Sequence, residues 1–430
     1  MVGTTAERVS GSFEDRHRKA ALEALDKCTL CGDCVSSCVV SRHLPVSDTS
    51  PGKVMEKVAL FLRRGVMSDE GYFKVFGCAS CGRCTESCRE GINAQQIFEA
   101  ARADMVRHGR VPDASRSIEH VSAFWKLLSA LQLRPSEMRW LWNVPRNAPR
   151  SKTAVFLGCT TPAFPHIAFA FLDVLEMLGV NLVALAGGDL CCGFPDFPAS
   201  GLIRRMEEKG AELVSGLEAF SPDRVVLLCT GCYRQFTPLY PGFLDHDFEV
   251  LHYSQFLREQ LRDCDTLNPL RRRVVLNESC MMKQTRLSES VLDLLSLIPG
   301  LQLRRAHDIC CGGTPKLAFP QASREMESLF ASELLRTVGE ESAEAVVNFC
   351  QLCEMAMYPH VSSSSVDLLN VPGLVCESMG GPAHDSMLKR YLAAGSVDDI
   401  IQATVGNFTA NGASEDEVRE VLRAVLEGPP

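Results

Sequence analysis

A chain of 430 residues has room for about three domains, each with its own hydrophobic core. Its 44 Lys and Arg against 53 Asp and Glu give a net charge of −9, which argues against a nucleic-acid-binding surface. Residues Met1 to Ser10 lack the apolar core of a signal peptide, and no stretch approaches the roughly 18 apolar residues of a membrane span. Twenty cysteines in such a chain point to a reducing, cytoplasmic setting and to bound metal instead of disulfides.

From the N-terminus, residues Ser12 to Asp26 read as a helix leading into Cys28, Cys31, Cys34 and Cys38. The spacing, C-x2-C-x2-C-x3-C, recurs at Cys78, Cys81, Cys84 and Cys88. It is the spacing of bacterial ferredoxins, in which the fourth cysteine of each motif ligates the other cluster. By that rule Cys28, Cys31 and Cys34 share a cubane with Cys88, and Cys78, Cys81 and Cys84 share one with Cys38. Val39 and Arg89 stand where ferredoxins usually have proline. The 39 residues between the motifs are too many for a compact small ferredoxin. They include a predicted helix at Pro51 to Arg64, and a second runs from Asn93 to His108, stopped at Gly109. Val111 to Pro149 adds helical pieces and a linker rich in Pro and Arg, with Trp125, Trp140 and Trp142 expected in packing roles.

Beyond the linker the hydrophobic period changes to that of an α/β protein. Strands are expected at Thr153 to Leu157, Val180 to Ala186 and Arg224 to Leu228, with helices at Pro165 to Leu178 and Leu202 to Phe220. The pattern returns as strands Val274 to Leu276, Leu301 to Arg304 and Ala345 to Asn348, with helices Leu287 to Leu297 and Ser323 to Thr337. Five cysteines punctuate each copy: Cys159, Cys191, Cys192, Cys229 and Cys232, then Cys280, Cys310, Cys311, Cys350 and Cys353. The lone cysteines, the adjacent pairs and the CxxC motifs are offset by 121, 119 and 121 residues, the signature of an internal duplication. The ligands then sit just past strand ends, where open α/β sheets place their sites. Five thiolates exceed the four that close a structural zinc site, although zinc with spare cysteines is an alternative. Soft thiolates suit zinc, Cu(I) or iron–sulfur clusters. Cys264 and Cys376 fall outside every set and read as small buried hydrophobes. His43, His252, His307 and His360 lie near motifs, but no spacing singles out a proton donor.

The doubled C…CCG…CxxC pattern after two ferredoxin motifs resembles the heterodisulfide reductase family, in its fused C-plus-B, D-subunit-like arrangement. The resemblance spans roughly residues 20 to 380. It implies an all-α two-cluster ferredoxin-like domain with its linker at 1–149. Two pseudo-symmetric α/β cysteine-rich domains follow at 150–268 and 269–385, with a helical extension at 386–430. It also implies two cubane [4Fe–4S] clusters, and one noncubane [4Fe–4S] cluster on each five-cysteine set. Gly193 and Gly312 match the glycine after each cysteine pair, where a missing side chain lets the backbone pass close to the inorganic core. Asn277-Glu278-Ser279 departs from the His-Asp-Pro often found there in relatives, and Thr314-Pro315 follows Gly313 where relatives carry more glycines. The function implied is reduction, or reversible formation, of a disulfide held in one cleft between the lobes, with electrons from a flavoprotein or other redox subunit. The competing expectation is a pure electron-transfer component of a flavoprotein dehydrogenase or electron-bifurcating complex.

Overall fold

The computed structural model describes residues 12–112, 121–142, 150–187, 190–241, 243–262, 267–306, 310–313, 318–361, 364–393 and 396–426. Its N-terminal part is helical. Helices α1 (Phe13–Asp26), α3 (Pro51–Arg64) and α6 (Ala94–Arg107) pack around the cysteine motifs. The Ser12 and Asn93 side chains cap α1 and α6 by accepting from Asp15 and Gln96 amides, and Pro51 opens α3 where no amide is needed. Each motif runs into a single helical turn, α2 (Asp33–Ser36) and α5 (Arg83–Glu86), and α4 (Asp69–Phe76) leads into the second motif.

Two parallel four-stranded sheets follow. The first has the order β2 (Leu182–Leu185), β1 (Thr153–Phe156), β3 (Arg224–Leu227), β4 (Glu249–His252). The second repeats it as β6 (Gln302–Arg305), β5 (Arg273–Leu276), β7 (Ala345–Asn348), β8 (Asp367–Asn370). The inner strands of such sheets are covered on both faces, which explains the unbroken apolar runs Ala154-Val155-Phe156 and Val274-Val275-Leu276. Each fully buried Val, Leu or Phe among them contributes about 1.5–3 kcal/mol. Elements anticipated from sequence fall within three residues of their observed ends. The fourth strand of each sheet escaped the pattern, because four residues at an edge give too little alternation to register.

The lobes pack through reciprocal helices. Helix α9 (Pro165–Met177), after the first strand of lobe one, lies on α17 (Val371–Ser378), after the last strand of lobe two. Helix α12 (Tyr253–Leu261), after the last strand of lobe one, lies on α14 (Ser288–Ser296), after the first strand of lobe two. Exchange of first and last helices is what a pseudo-two-fold produces. The remaining helices, α18 (Met387–Ala393), α19 (Val397–Ala410) and α20 (Glu415–Leu426), fold back on α7 (Val121–Gln132). Asn407 and Asn411 amides donate to the Leu131, Ala130 and Leu133 carbonyls at the end of that helix. Trp125 and Trp142 are buried in the core; the Trp140 side chain lies outside the described residues.

Candidate metal centres

The two ferredoxin-type motifs fold alike. Leu30 and Ser80 take left-handed φ of 58° and 51°, and their amides donate to Cys28 and Cys78 Sγ at 3.4 Å. Gly32 and Gly82 follow, both at φ 83°, turning the chain into α2 and α5. Cys28, Cys31, Cys34 and Cys88 line one cavity with Met55, Ile92 and Ile97. Cys38 turns the other way, within electrostatic reach of Cys78, Cys81 and Cys84. The second group is the deeper one: Cys78 and Cys84 are buried, whereas Cys31 is exposed.

A buried cation accompanies the second group. Lys74 on α4 is 2 % exposed, its ammonium 3.3 Å from Ser41 Oγ and over the Phe98 ring. Burial pushes the Cys38 thiol up, but the Lys74 charge and hydrogen bonds from Ser41 and Lys74 outweigh it and bring Cys38 to about 7. Cys34, where burial dominates, is pushed up to about 11. Neither Lys74 nor Arg102, also buried, was anticipated from sequence.

In lobe one, Cys159 lies beyond β1 and Cys229 beyond β3, while Cys191 and Cys192 occupy the loop after β2. Cys191 Sγ stands 3.9 Å from Cys159 Sγ and accepts from the Gly193 amide at 3.4 Å. Tyr240 Oη and Gln235 Nε2 donate to the Cys192 carbonyl at 2.7 and 3.2 Å, fixing the loop from α11 (Thr230–Arg234) and the turn after it. Lobe two gathers Cys280, Cys310, Cys311, Cys350 and Cys353 in the matching places. There the Cys353 thiol, hydrogen-bonded to Cys350, holds Cys350 down at about 7 against the effect of burial.

The glycines after the pairs are explained by helix crossings. Gly193 (φ 73°) faces α10 (Ile203–Glu218) and Gly312 (φ 75°) faces α15 (Pro320–Glu340); an added Cβ would meet Met206 Cα at 2.7 Å and Ser323 O at 3.0 Å respectively. The close approach is therefore to a helix backbone. Gly193→Ala is expected to cost about 2–4 kcal/mol of stability through clash plus backbone strain. Gly91→Ala, equally left-handed but with nothing within 4 Å, should cost only ~1 kcal/mol, a contrast that denaturant midpoints would read.

The two sets lie close together across the lobe seam. Helix α13 (Cys280–Gln284), opened by the lone cysteine of lobe two, packs on α11, opened by the CxxC of lobe one. Its pseudo-symmetric counterpart is the buried hydrogen bond from Gln351 Nε2 to Thr161 Oγ1, 3.2 Å. Next to it His166 Nε2 meets Glu354 Oε1 at 2.7 Å, both buried. These four side chains fill the seam on this side. The expected cleft bordered by both cysteine sets is not what the large cavity of about 790 Å³ provides. That cavity opens beside α11 and α13, between Phe13, Asn93, Arg234, Pro238 and Gln284, and among the described residues no cysteine lines it. The lobes also differ in their neighbours. Cys310 of lobe two is buried in the N-terminal core against which Cys81 packs, which brings that lobe against the second ferredoxin-type group.

The departing triplet has local duties. Ser279 caps α13 by accepting from the Met282 amide, Glu278 accepts from Arg305 Nε and Nη2 at 2.8 Å each, and Asn277 donates to Asn348 Oδ1 at 2.9 Å. Cys376 is buried, in keeping with its reading as a small hydrophobe; Cys264 and His307 lie outside the described residues. His43 bonds Glu325, His252 caps α12, and His360 is half-buried on α16 (Gln351–Val361).

Comparison with known proteins matches this layout. The 4Fe-4S dicluster domain profile fits residues 24–92, and the cysteine-rich CCG domain profile fits residues 153–237 and 274–358. The D subunit of dihydromethanophenazine:CoB–CoM heterodisulfide reductase from Methanosarcina barkeri is 27 % identical over 408 residues, covering 84 % of this chain and 95 % of the relative. The C subunit of anaerobic glycerol-3-phosphate dehydrogenase from Escherichia coli K12 is 26 % identical over 229 residues, covering 50 % of this chain and 57 % of that one. Among solved structures, an aspartate racemase homologue from Pyrococcus horikoshii aligns at a TM-score of 0.28 and 11 % identity, over 56 % of this chain and 99 % of that one, too low to bear on the argument.

Proposed function

We propose, from its homology to the D subunit of heterodisulfide reductase and its 4Fe-4S dicluster domain joined to two CCG domains, that the chain reduces, or reversibly forms, a disulfide as the iron–sulfur component of a cytoplasmic complex. A dicluster domain implies two [4Fe–4S] clusters, and the CCG domains suggest further clusters. In this reading Cys28, Cys31, Cys34 and Cys88 hold one cubane and Cys38, Cys78, Cys81 and Cys84 the other. Each five-cysteine set holds one noncubane [4Fe–4S] cluster. The donor sets suit this: all are soft thiolates, and the five in each lobe exceed the four that close a structural zinc site. When bound, the clusters supply one-electron transfer and, in the lobes, iron with an affinity for sulfur.

The placement of the cysteines supports an order of sites. In this reading the exposed Cys31 lies at the end that receives electrons from a flavoprotein or other redox partner, and the Cys81–Cys310 contact leads from the inner cubane site to lobe two. The α11–α13 packing then leads across to lobe one. The reaction consumes two electrons and two protons and splits one disulfide into two thiols. The observation that carries the proposal is the reciprocal packing of two complete five-cysteine sets, which gives each sulfur of a disulfide its own metal site. A relay without a substrate is the second reading, favoured by the buried Thr161–Gln351 and His166–Glu354 contacts that fill one side of the seam.

Anaerobically prepared protein should contain about sixteen irons and equal acid-labile sulfide, four clusters of four irons. Reduced protein should be reoxidised by small disulfides, with two thiols released per two electrons. About eight irons and two zinc ions would establish zinc in the lobes. Full iron with no disulfide-driven reoxidation would leave the relay.

A further inference from the structure

The dicluster domain is itself a duplication, and its two halves differ in charge. Helix α1 ends just before Cys28 as α4 ends just before Cys78. Four residues ahead of the first motif stands Ala24; four ahead of the second stands Lys74. Aligned on their N-caps, Ser50 and Asn93, helices α3 and α6 place Ala59 opposite Arg102. Both buried cations therefore accompany one group of cysteines, and alanine takes both equivalent positions beside the other.

Lys74 lies within electrostatic reach of Cys38, Cys78 and Cys84, three of the four thiolates in the inner group, and of one, Cys34, in the outer group. The neighbouring buried carboxylate, Glu99, is already matched by Arg234 at 3.0 Å. The cation felt by Cys28 in the outer group is Arg63, half exposed and shared with Asp26 and the Leu25 carbonyl. A charge in a low-dielectric interior is screened far less than one at the surface. Net charge and hydrogen bonding around the sulfurs are what tune a cluster's reduction potential.

We propose that Lys74 sets the polarity of the electron path, raising the reduction potential of the inner cubane above that of the outer one. An electron donated at the exposed end then passes inward, the outer site being oxidised as the inner one is reduced, toward the Cys81–Cys310 contact. Lys74 touches no substrate; it is a positioning residue for charge.

The inference rests on the reading that each ferredoxin-type group holds a cubane, so iron, sulfide and the two cubane EPR signals of the full-length protein are quantified first. Absence of two cubane signals in the unmodified protein overturns both that reading and the inference. With both present, a potentiometric titration followed by EPR compares the unmodified protein with Lys74→Met and Lys74→Arg. The Met variant should lower the higher of the two potentials toward the other, while the Arg variant keeps the gap. Unchanged potentials in the Met variant, or an equal fall in both, overturn the inference while leaving the cluster assignment intact. Should Lys74→Met fail to assemble its inner cluster, Ala24→Lys decides: the lower potential should rise and close the gap, and no movement overturns the inference.

Discussion

Protein carrying Cys311→Ser should retain both cubane EPR signals while disulfide-dependent turnover falls by at least about 10³-fold, the scale seen when one member of an interdependent catalytic unit is removed. The two adjacent cysteines of lobe two are packed differently, which makes this variant a clean one. Cys310 is buried in the apolar core of the N-terminal domain, with Ala322 and Met326. Cys311 is buried within its own lobe among Val275, Phe330, Ala331 and Cys353. Serine at 311 therefore leaves the contact with Cys81 untouched and replaces one soft thiolate by a hard oxygen in the lobe. Cys34→Ser provides the complementary result: one cubane is damaged and reduction of every later site slows. Normal electron delivery to the final acceptor by the Cys311 variant would take lobe two off the path and leave the proposed chemistry without its second metal site.

The cysteine rhythm made most of this architecture legible in advance. Ten cysteines at near-constant offset required two equivalent lobes, and the switch from helical to α/β periodicity at Thr153 located the first of them. Reciprocal helix packing across the lobes was beyond reach, because α9 meets α17 from some 200 residues away and no local pattern encodes a partner. Lys74 was invisible for a different reason. One lysine in an amphipathic helix reads as a solvated charge, and only the fold reveals that its ammonium is buried against Ser41 and the Phe98 ring. Asn277-Glu278-Ser279 was read as a departure from relatives. Its cap, ion pair and amide bond show that the same segment can be fixed by other side chains. The edge strands β4 and β8 were too short to carry a period.

One guanidinium ties the N-terminal domain to lobe one alongside the Glu99–Arg234 ion pair and the packing of Phe13 on Phe197, and its removal should be among the most damaging substitutions in the chain. Arg102 is 0 % exposed, and its hydrogen bonds go to backbone carbonyls. It donates to the Val75 carbonyl at 2.8 Å and to the Cys78 carbonyl on one side, and to the Pro198 and Ala199 carbonyls at 2.7 and 2.8 Å on the other. Four carbonyls from two domains thus share one buried cation, and Gly201 allows the close approach, since a Cβ there would meet Arg102 at 3.1 Å. Arg102→Met preserves most of the apolar stem but takes the guanidinium donor from the Cys78, Pro198 and Ala199 carbonyls, while the Val75 carbonyl keeps the Cys78 amide. At 1–3 kcal/mol for each buried group left unpaired, partly relieved by relaxation, the expected loss is roughly 3–5 kcal/mol. Arg102→Lys keeps the charge but not the planar fork that serves both sides at once, and should fall between. Denaturant unfolding under anaerobic conditions reads the midpoint, and limited proteolysis with mass spectrometry reports whether the N-terminal domain comes away from the lobes first. A Met variant with an unshifted midpoint would show that the domain junction is held by the surrounding apolar packing, with the guanidinium contributing little.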